Sequence, residues 1–200
     1  MVAAGLIYFN HEHRAQKEID AGQALTQTMI SIPRNATVSQ QVDLYSKIAA
    51  NYQGTSGGQR ALLQAGAILF AAGKYPEAQA QFQRFLDVSP GSFFAAQAAL
   101  GLATCLDAQG KTDAAAEAYQ RIINTYSDLT VVDSARFALA QLDERQGKPG
   151  TAADLYDIIA RNNLDGSLAA EAAMRLMELK MKQPSASPAV AAPLSSLPSH

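Results

Sequence analysis

The sequence predicts an all-α fold, a superhelix of stacked helical hairpins. Three observations carry this reading. Four aromatics recur every 37 residues, at Tyr45, Phe82, Tyr119 and Tyr156. Ile48, Phe85, Ile122 and Ile159 keep the same interval, as do Ala61, Ala98, Ala135 and Ala172. Gly73, Gly110 and Gly147 punctuate each unit, with Ala78, Ala115 and Ala152 five residues after them. Self-similarity at a period of roughly 20–50 residues marks a stack of equivalent supersecondary units. Such stacks are usually binding surfaces.

The chain of 200 residues suits one domain with extensions. It is 48% hydrophobic but only 7% aromatic, with no Trp, and much of the apolar content is Ala, which favours close-packed helices. A net charge of −2 and the lack of any Lys/Arg run exclude a nucleic-acid footprint, so no nucleic-acid partner is expected. The single cysteine, Cys105, can form no internal disulfide and leaves the compartment open.

The first domain is 1–36. Residues 3–32 read as one long helix, with an apolar stripe of Ile19, Gly22, Leu25, Met29 and Ile32, closed by Pro33. Its start, Val2 to Phe9, is an uncharged apolar octet followed at once by Asn10-His11-Glu12-His13-Arg14. Eight residues are too few to span a bilayer. One reading is a greasy helix turn packed on the first repeat. The other is the end of a membrane anchor over 1–9, with Tyr8 at the interface.

The repeat domain is expected over 37–182. A helix at 38–52 carries Val42, Tyr45, Ile48 and Tyr52, and Gly54-Thr55-Ser56-Gly57-Gly58 reads as a loop. Three hairpins follow, 59–72 with 75–88, 93–109 with 112–126, and 131–146 with 149–163, within units of about 59–92, 93–130 and 131–166. Each internal turn is Gly-Lys, where glycine accepts the left-handed torsion that ends a helix. Pro76 and Pro149 fall in the first turn of a second helix. A capping helix is expected at 167–182. Beyond it, 183–200 holds four prolines and five serines without a charged Lys, Arg, Asp or Glu, and reads as a disordered tail.

Catalytic and metal-binding patterns are weak. His11 and His13 lie two apart, on different sides of a helix, and make a poor chelate. Gly110-Lys111-Thr112 imitates the end of a phosphate loop, but Cys105 stands where that motif needs glycine, after a helix rather than a strand. Cys105 reads as packing. Asn35-Ala36-Thr37 reads as a chance sequon. The acidic residues form no paired constellation. No enzyme activity, metal or cofactor is expected.

The repeat itself resembles the tetratricopeptide repeat. The first unit matches through Leu62, Ala65-Gly66, Leu69, Gly73, Tyr75, Ala78, Phe82, Phe85 and Pro90. The second matches through Ala99, Leu102-Ala103, Leu106, Gly110, Ala115, Tyr119 and Ile122. The third keeps Leu139-Ala140, Gly147, Ala152, Tyr156 and Ile159, but has Arg136 and Asp143 at large apolar positions. The period exceeds the family's usual 34 residues, and the closing proline is lost after the first unit. The N-terminal helix can supply an opening helix.

The resemblance implies a right-handed superhelix with a concave groove lined by the first helix of each hairpin. Its positions here are Arg60, Leu63, Ala67 and Phe70, then Gln97, Leu100, Thr104 and Asp107. The third unit contributes Ser134, Phe137, Gln141 and Glu144, and the cap Glu171, Met174 and Glu178. Leu63, Phe70, Leu100, Phe137 and Met174 are expected on its wet face, an apolar strip with an acidic rim suited to a protein or peptide partner. The short apolar start, long helix and 37-residue units are also similar to bacterial envelope repeat proteins. The YfgM-like ancillary subunits of the SecYEG translocon come first, and the Tol–Pal coordinator and outer-membrane assembly lipoproteins second. That similarity implies a scaffold or chaperone-like adaptor at the inner membrane, facing the periplasm beside export machinery. The alternative is a soluble cytoplasmic module whose N-terminus mediates homo-oligomerisation.

Overall fold

The structure is a computed structural model and describes residues 2–162 and 166–182. The described residues form nine helices: α1 (Val2–Ser31), α2 (Val38–Asn51), α3 (Ser56–Ala71), α4 (Tyr75–Val88), α5 (Ala95–Ala108), α6 (Thr112–Thr125), α7 (Leu129–Arg145), α8 (Pro149–Asn162) and α9 (Ser167–Lys182). Each helix from α2 onward packs on the next in sequence, while α3 also touches α5 and α5 touches α7. That nearest-neighbour order makes a solenoid.

The hairpin turns are chemically identical. Gly73, Gly110 and Gly147 take φ of +73°, +71° and +72°. The N–H of the lysine that follows reaches back into the last helical turn. Lys74 donates to the Leu69 carbonyl, Lys111 to Leu106 and Lys148 to Asp143, at 2.9, 3.0 and 2.8 Å. This Schellman closure satisfies carbonyls that the helix end leaves orphaned. Other helix ends use side chains. Thr37 and Gln40 form a reciprocal capping box at α2, and Asp128 accepts the Thr130 and Val131 amides at α7.

The core repeats as the sequence does. Tyr45, Phe82, Tyr119 and Tyr156 are all buried, as are the isoleucine/phenylalanine and alanine columns. Around Phe82 the helices come closest. A Cβ on Gly66 of α3 would lie 2.8 Å from the Phe82 ring, and one on Gly101 of α5 would lie 2.6 Å from it. Glycine on both sides thus lets α4 push its ring between α3 and α5.

Several expectations are corrected. Ser56-Gly57-Gly58 is not loop but the first turn of α3. Thr55 Oγ1 accepts the Gly58 amide at 3.0 Å, and the Glu18 carboxylate accepts the Ser56 amide at 2.9 and 3.1 Å. The glycines serve close approach: a Cβ on Gly57 would lie 2.7 Å from the Ala21 carbonyl carbon of α1. The stripe on α1 also differs. Ala21 and Leu25 are buried and Ile32 packs on the core, whereas Ile19 and Met29 are more than half exposed and Gly22 faces open space. The small Ala21, opposite Gly57, selects the face that docks. Phe93 and Phe94 precede α5 rather than opening it, and Phe93 is 87% exposed. α7 begins two residues earlier than its apolar pattern, at the Asp128 cap. The expected tail at 183–200 lies outside the described residues, as do the side chains of 2–10.

Candidate functional site

α3, α5, α7 and α9 are the first helices of their units, and the expected groove positions form four columns along them. In the first column, Arg60, Gln97 and Glu171 are exposed and Ser134 is half-buried, its hydroxyl donating to the Thr130 carbonyl at 2.7 Å. In the second, Leu63 and Leu100 are half-buried and Met174 is 62% exposed. Phe137 departs from this pattern: it is buried, packed edge-to-face on Tyr156 with centroids 5.3 Å apart. The expectation that it lies on the wet face is therefore corrected. The Phe137 ring is larger than the leucines of that column and reaches the Tyr156 ring, in a cluster with Ala140, Ala152 and Ala172.

In the third column Ala67 and Glu178 are exposed, and Thr104 and Gln141 are half-buried. Thr104 Oγ1 donates to the Leu100 carbonyl at 2.8 Å. In the fourth, Phe70 is half-buried against Tyr75 at 5.2 Å, and Asp107 and Glu144 are half-buried acids. Asp107 accepts from Arg145 of α7 at 2.6 Å, and Glu144 accepts the Tyr156 hydroxyl at 2.6 Å. Glu178 pairs with Arg175 at 3.6 Å.

Six of the expected residues converge on one cleft of about 290 Å³ between α3 and α5: Leu63, Ala67, Phe70, Gln97, Leu100 and Thr104. Phe82 and Gly101 complete it. Its lining is mostly apolar, with Gln97 and Thr104 as the polar groups. Phe82 and Gly101 were missed because the aromatic column reads as core. The available signal was Gly101 itself, a glycine inside a helix where the neighbouring units carry Gln64, Ala138 and Arg175. A larger depression of about 820 Å³ runs along α1 from Glu18 to Gln27, but it is a shallow face rich in polar side chains. Arg60, Ser134, Asp107, Gln141, Glu144, Glu171, Met174 and Glu178 do not line the cleft. Of the acids expected at the rim, Asp107 pairs with Arg145 and Glu178 with Arg175, so their charge is offset, whereas Glu144 accepts from Tyr156 and Glu171 is exposed.

The titratable groups near the groove are tuned by packing. Burial raises the Tyr119 phenol, opposed by its hydrogen bond to Thr104 and by Arg145. Burial and then the Glu144 hydrogen bond raise the Tyr156 phenol. Burial pushes the Cys105 thiol up to about 11, so it is held as the weakly nucleophilic thiol. Among the described residues no group of three His, Cys, Asp or Glu side chains is placed to hold a metal.

Residues 59–128, the first two hairpins, match the family model for the tetratricopeptide repeat. Solved structures extend the fold across the chain. A tetratricopeptide repeat protein from Parabacteroides merdae is 13% identical, with a TM-score of 0.61 over 80% of this chain and 60% of that one. Kinesin-light-chain-like TPR-like repeats from Podosopora anserina reach 0.59 at 13% identity, over 84% and 87% of the two chains. PcrH, solved with the chaperone-binding region of PopD, is 23% identical with a TM-score of 0.53, over 66% and 98%. No match is found among the curated proteins. At these identities the likeness establishes the fold: an all-helical tetratricopeptide-type solenoid. Among the described residues no helix is long and apolar enough to cross a membrane.

Proposed function

We propose that this protein is a non-enzymatic adaptor whose concave groove takes an amphipathic or unfolded segment of a protein partner. The cleft between α3 and α5 carries the proposal. It is walled by Leu63, Phe70 and Leu100 on the face that a solenoid leaves to water. An apolar recess on an exposed concave surface is the usual anchor site for one or two bulky side chains. Gln97 and Thr104 supply hydrogen bonds at its edge, and Glu144 and Glu171, the groove acids not paired with arginine among the described residues, favour basic residues flanking the anchor. PcrH, of the same fold, was solved with a chaperone-binding region of its partner, which supports peptide capture as the mode.

The test is Leu100→Glu, measured against a panel of fluorescent amphipathic peptides bearing Leu or Phe anchors between Lys residues. Binding by the parent chain and its loss in the variant, at unchanged helicity, supports the reading. Equal binding by both places the partner surface elsewhere.

We further propose an envelope setting, as the YfgM-like resemblance implies. The apolar octet at 2–9 running into a charged stretch supports it. Fractionation of cells expressing the chain with its genomic upstream sequence tests this. Recovery in the inner-membrane fraction, with the repeats open to periplasmic protease, supports it. Recovery in the cytoplasmic fraction favours the soluble module instead.

A further inference from the structure

The aromatic column repeats, but its surroundings do not. Phe82 is 6% exposed, whereas Tyr119 and Tyr156 of the next two units are 1% and 0% exposed. Gly101 is what uncovers it. The far edge of the Phe82 ring, Cζ, Cε1 and Cε2, lies 2.6, 2.7 and 2.8 Å from where a Cβ of residue 101 would stand. Both residues line the cleft between α3 and α5, so that ring edge forms part of its floor. The residues in register with Gly101 are Gln64, Ala138 and Arg175, all of which carry a side chain.

The third unit shows what such a ring accepts. Two periods after Leu63 and Phe82 stand Phe137 and Tyr156. Phe137 packs edge-to-face on Tyr156, with centroids 5.3 Å apart, and both are buried. In the first unit Leu63 holds the place of Phe137, half-buried against the cluster that includes Phe82. A leucine has no ring to offer, and Phe82 takes part in none of the ring pairs among the described residues. The edge of an aromatic ring is electropositive and prefers the face of a second ring. The space is of the right order. An apolar cavity of about 150 Å³ takes a benzene ring. The cleft, at about 290 Å³, has room for one ring with the partner's backbone at its mouth. Thr104 Oγ1 already donates to the Leu100 carbonyl at 2.8 Å, so the recess offers its occupant mainly apolar surface and the ring edge.

On the premise that this cleft takes a partner segment, we propose that the segment is selected by one aromatic side chain, a phenylalanine. Its ring seats on the edge of Phe82 in the edge-to-face manner of Phe137 and Tyr156. Two residues set the preference. Gly101 uncovers the ring edge, and Leu63 leaves the adjoining place unfilled by a ring of the chain's own. The selection is for a π face and not for bulk alone. Burial of apolar area rewards any large hydrocarbon side chain. Edge-to-face pairing rewards only a ring.

Fluorescence anisotropy of the full chain tests this with three labelled, Lys-flanked peptides that differ only in the central residue: phenylalanine, cyclohexylalanine or leucine. Cyclohexylalanine matches phenylalanine in shape and exceeds it in hydrophobicity, but has no π face. The phenylalanine peptide should bind about two- to tenfold more tightly than the cyclohexylalanine peptide. Phe82→Leu should bring those two peptides to equal affinity. Leu63→Phe sets the chain's own ring beside Phe82, as in the third unit, and should remove most binding of the phenylalanine peptide at unchanged helicity. Leu63 is only a half-buried wall of the cleft, so this variant decides even where Phe82→Leu fails to fold. Cyclohexylalanine or leucine peptides that bind as tightly as the phenylalanine peptide, and are lost in Leu100→Glu, overturn the aromatic selection and leave peptide capture standing. Binding of the phenylalanine peptide that is indifferent to Leu63→Phe overturns it as well. If none of the three peptides binds, peptide capture by the cleft fails, and the aromatic selection with it.

Discussion

Gly101→Ala sets two effects of opposite sign against each other. Alanine in a helix interior is favoured over glycine by about 1 kcal/mol. Here, however, the new Cβ would lie 2.6, 2.7 and 2.8 Å from Cζ, Cε1 and Cε2 of Phe82. Ordinary carbon contact is about 3.5–4.0 Å, so the ring must retreat by roughly 1 Å. Gly66 hems the ring on its other side, where even a hypothetical Cβ would lie 2.8 Å away. Phe82 is only 6% exposed, and the one open side of its ring is the floor of the cleft between α3 and α5, so any retreat comes at the expense of packing or of the cleft. Overpacking of this kind costs about 1–3 kcal/mol, which leaves a net loss of about 0–2 kcal/mol after the helix gain. For a chain of this size that is a fall of up to roughly 8 °C in Tm, against a rise for the control. The control is Gly22→Ala, where nothing lies within 4 Å and the helix term acts alone, for a gain of about 0.5–1 kcal/mol. Calorimetry or thermal circular dichroism reads both. Phe82→Leu, made in the parent and in the Gly101→Ala chain, completes a cycle. Its penalty should be smaller in the Gly101→Ala chain, because the smaller side chain relieves the clash. If Gly101→Ala is as stable as Gly22→Ala, and the Phe82→Leu penalty is the same in both backgrounds, the close approach around Phe82 is wrong.

Gly110→Ala forces a side chain into φ of +71° and should cost about 1–2 kcal/mol, read by chemical denaturation. Tyr156→Phe removes the 2.6 Å hydrogen bond to Glu144 and should cost about 1–2 kcal/mol, reduced by rehydration of the half-buried carboxylate. The Cys105 thiol is raised from 9.0 to about 11, so the unfolded chain ionises first and stability is lost as pH rises through that window. Cys105→Ala should flatten this fall in urea titrations between those pH values, although Tyr119 and Tyr156, also raised, keep some of it at the upper end. The same thiol should resist alkylation at about pH 8 until the chain is unfolded, as a mass-spectrometric time course would show.

The repeating part of the fold was legible because each column repeats one packing problem. Tyr45, Phe82, Tyr119 and Tyr156 fill the same gap, and the three Gly-Lys turns close the same Schellman motif. What periodicity does not encode is how a unit departs from its neighbours. Phe137 occupies the column of Leu63 and Leu100, yet it sinks onto Tyr156 because a ring, unlike leucine, can pack edge-to-face there. Ser56-Gly57-Gly58 carries the composition of a loop, but its glycines serve the contact with Ala21, a residue distant in sequence. On α1 both Ile19–Met29 and Ala21–Leu25 are spaced for a helix face, and only the partner surface on α3 decides between them. The cleft was read in outline from six of its residues. Its floor, Phe82 beside Gly101, depends on the glycine pair that lets α3 and α5 close around the ring.

The most direct test of groove binding is site-specific photocrosslinking in cells, with benzoylphenylalanine replacing Phe70 at the mouth of the cleft. The same probe at the exposed Arg84 of α4, on the other side of the hairpin, is the comparison. The account predicts a discrete crosslinked partner from position 70 that disappears when Leu100→Glu is added, with little or none from position 84. Crosslinks from position 84 alone, or crosslinks from position 70 that survive Leu100→Glu, would contradict it.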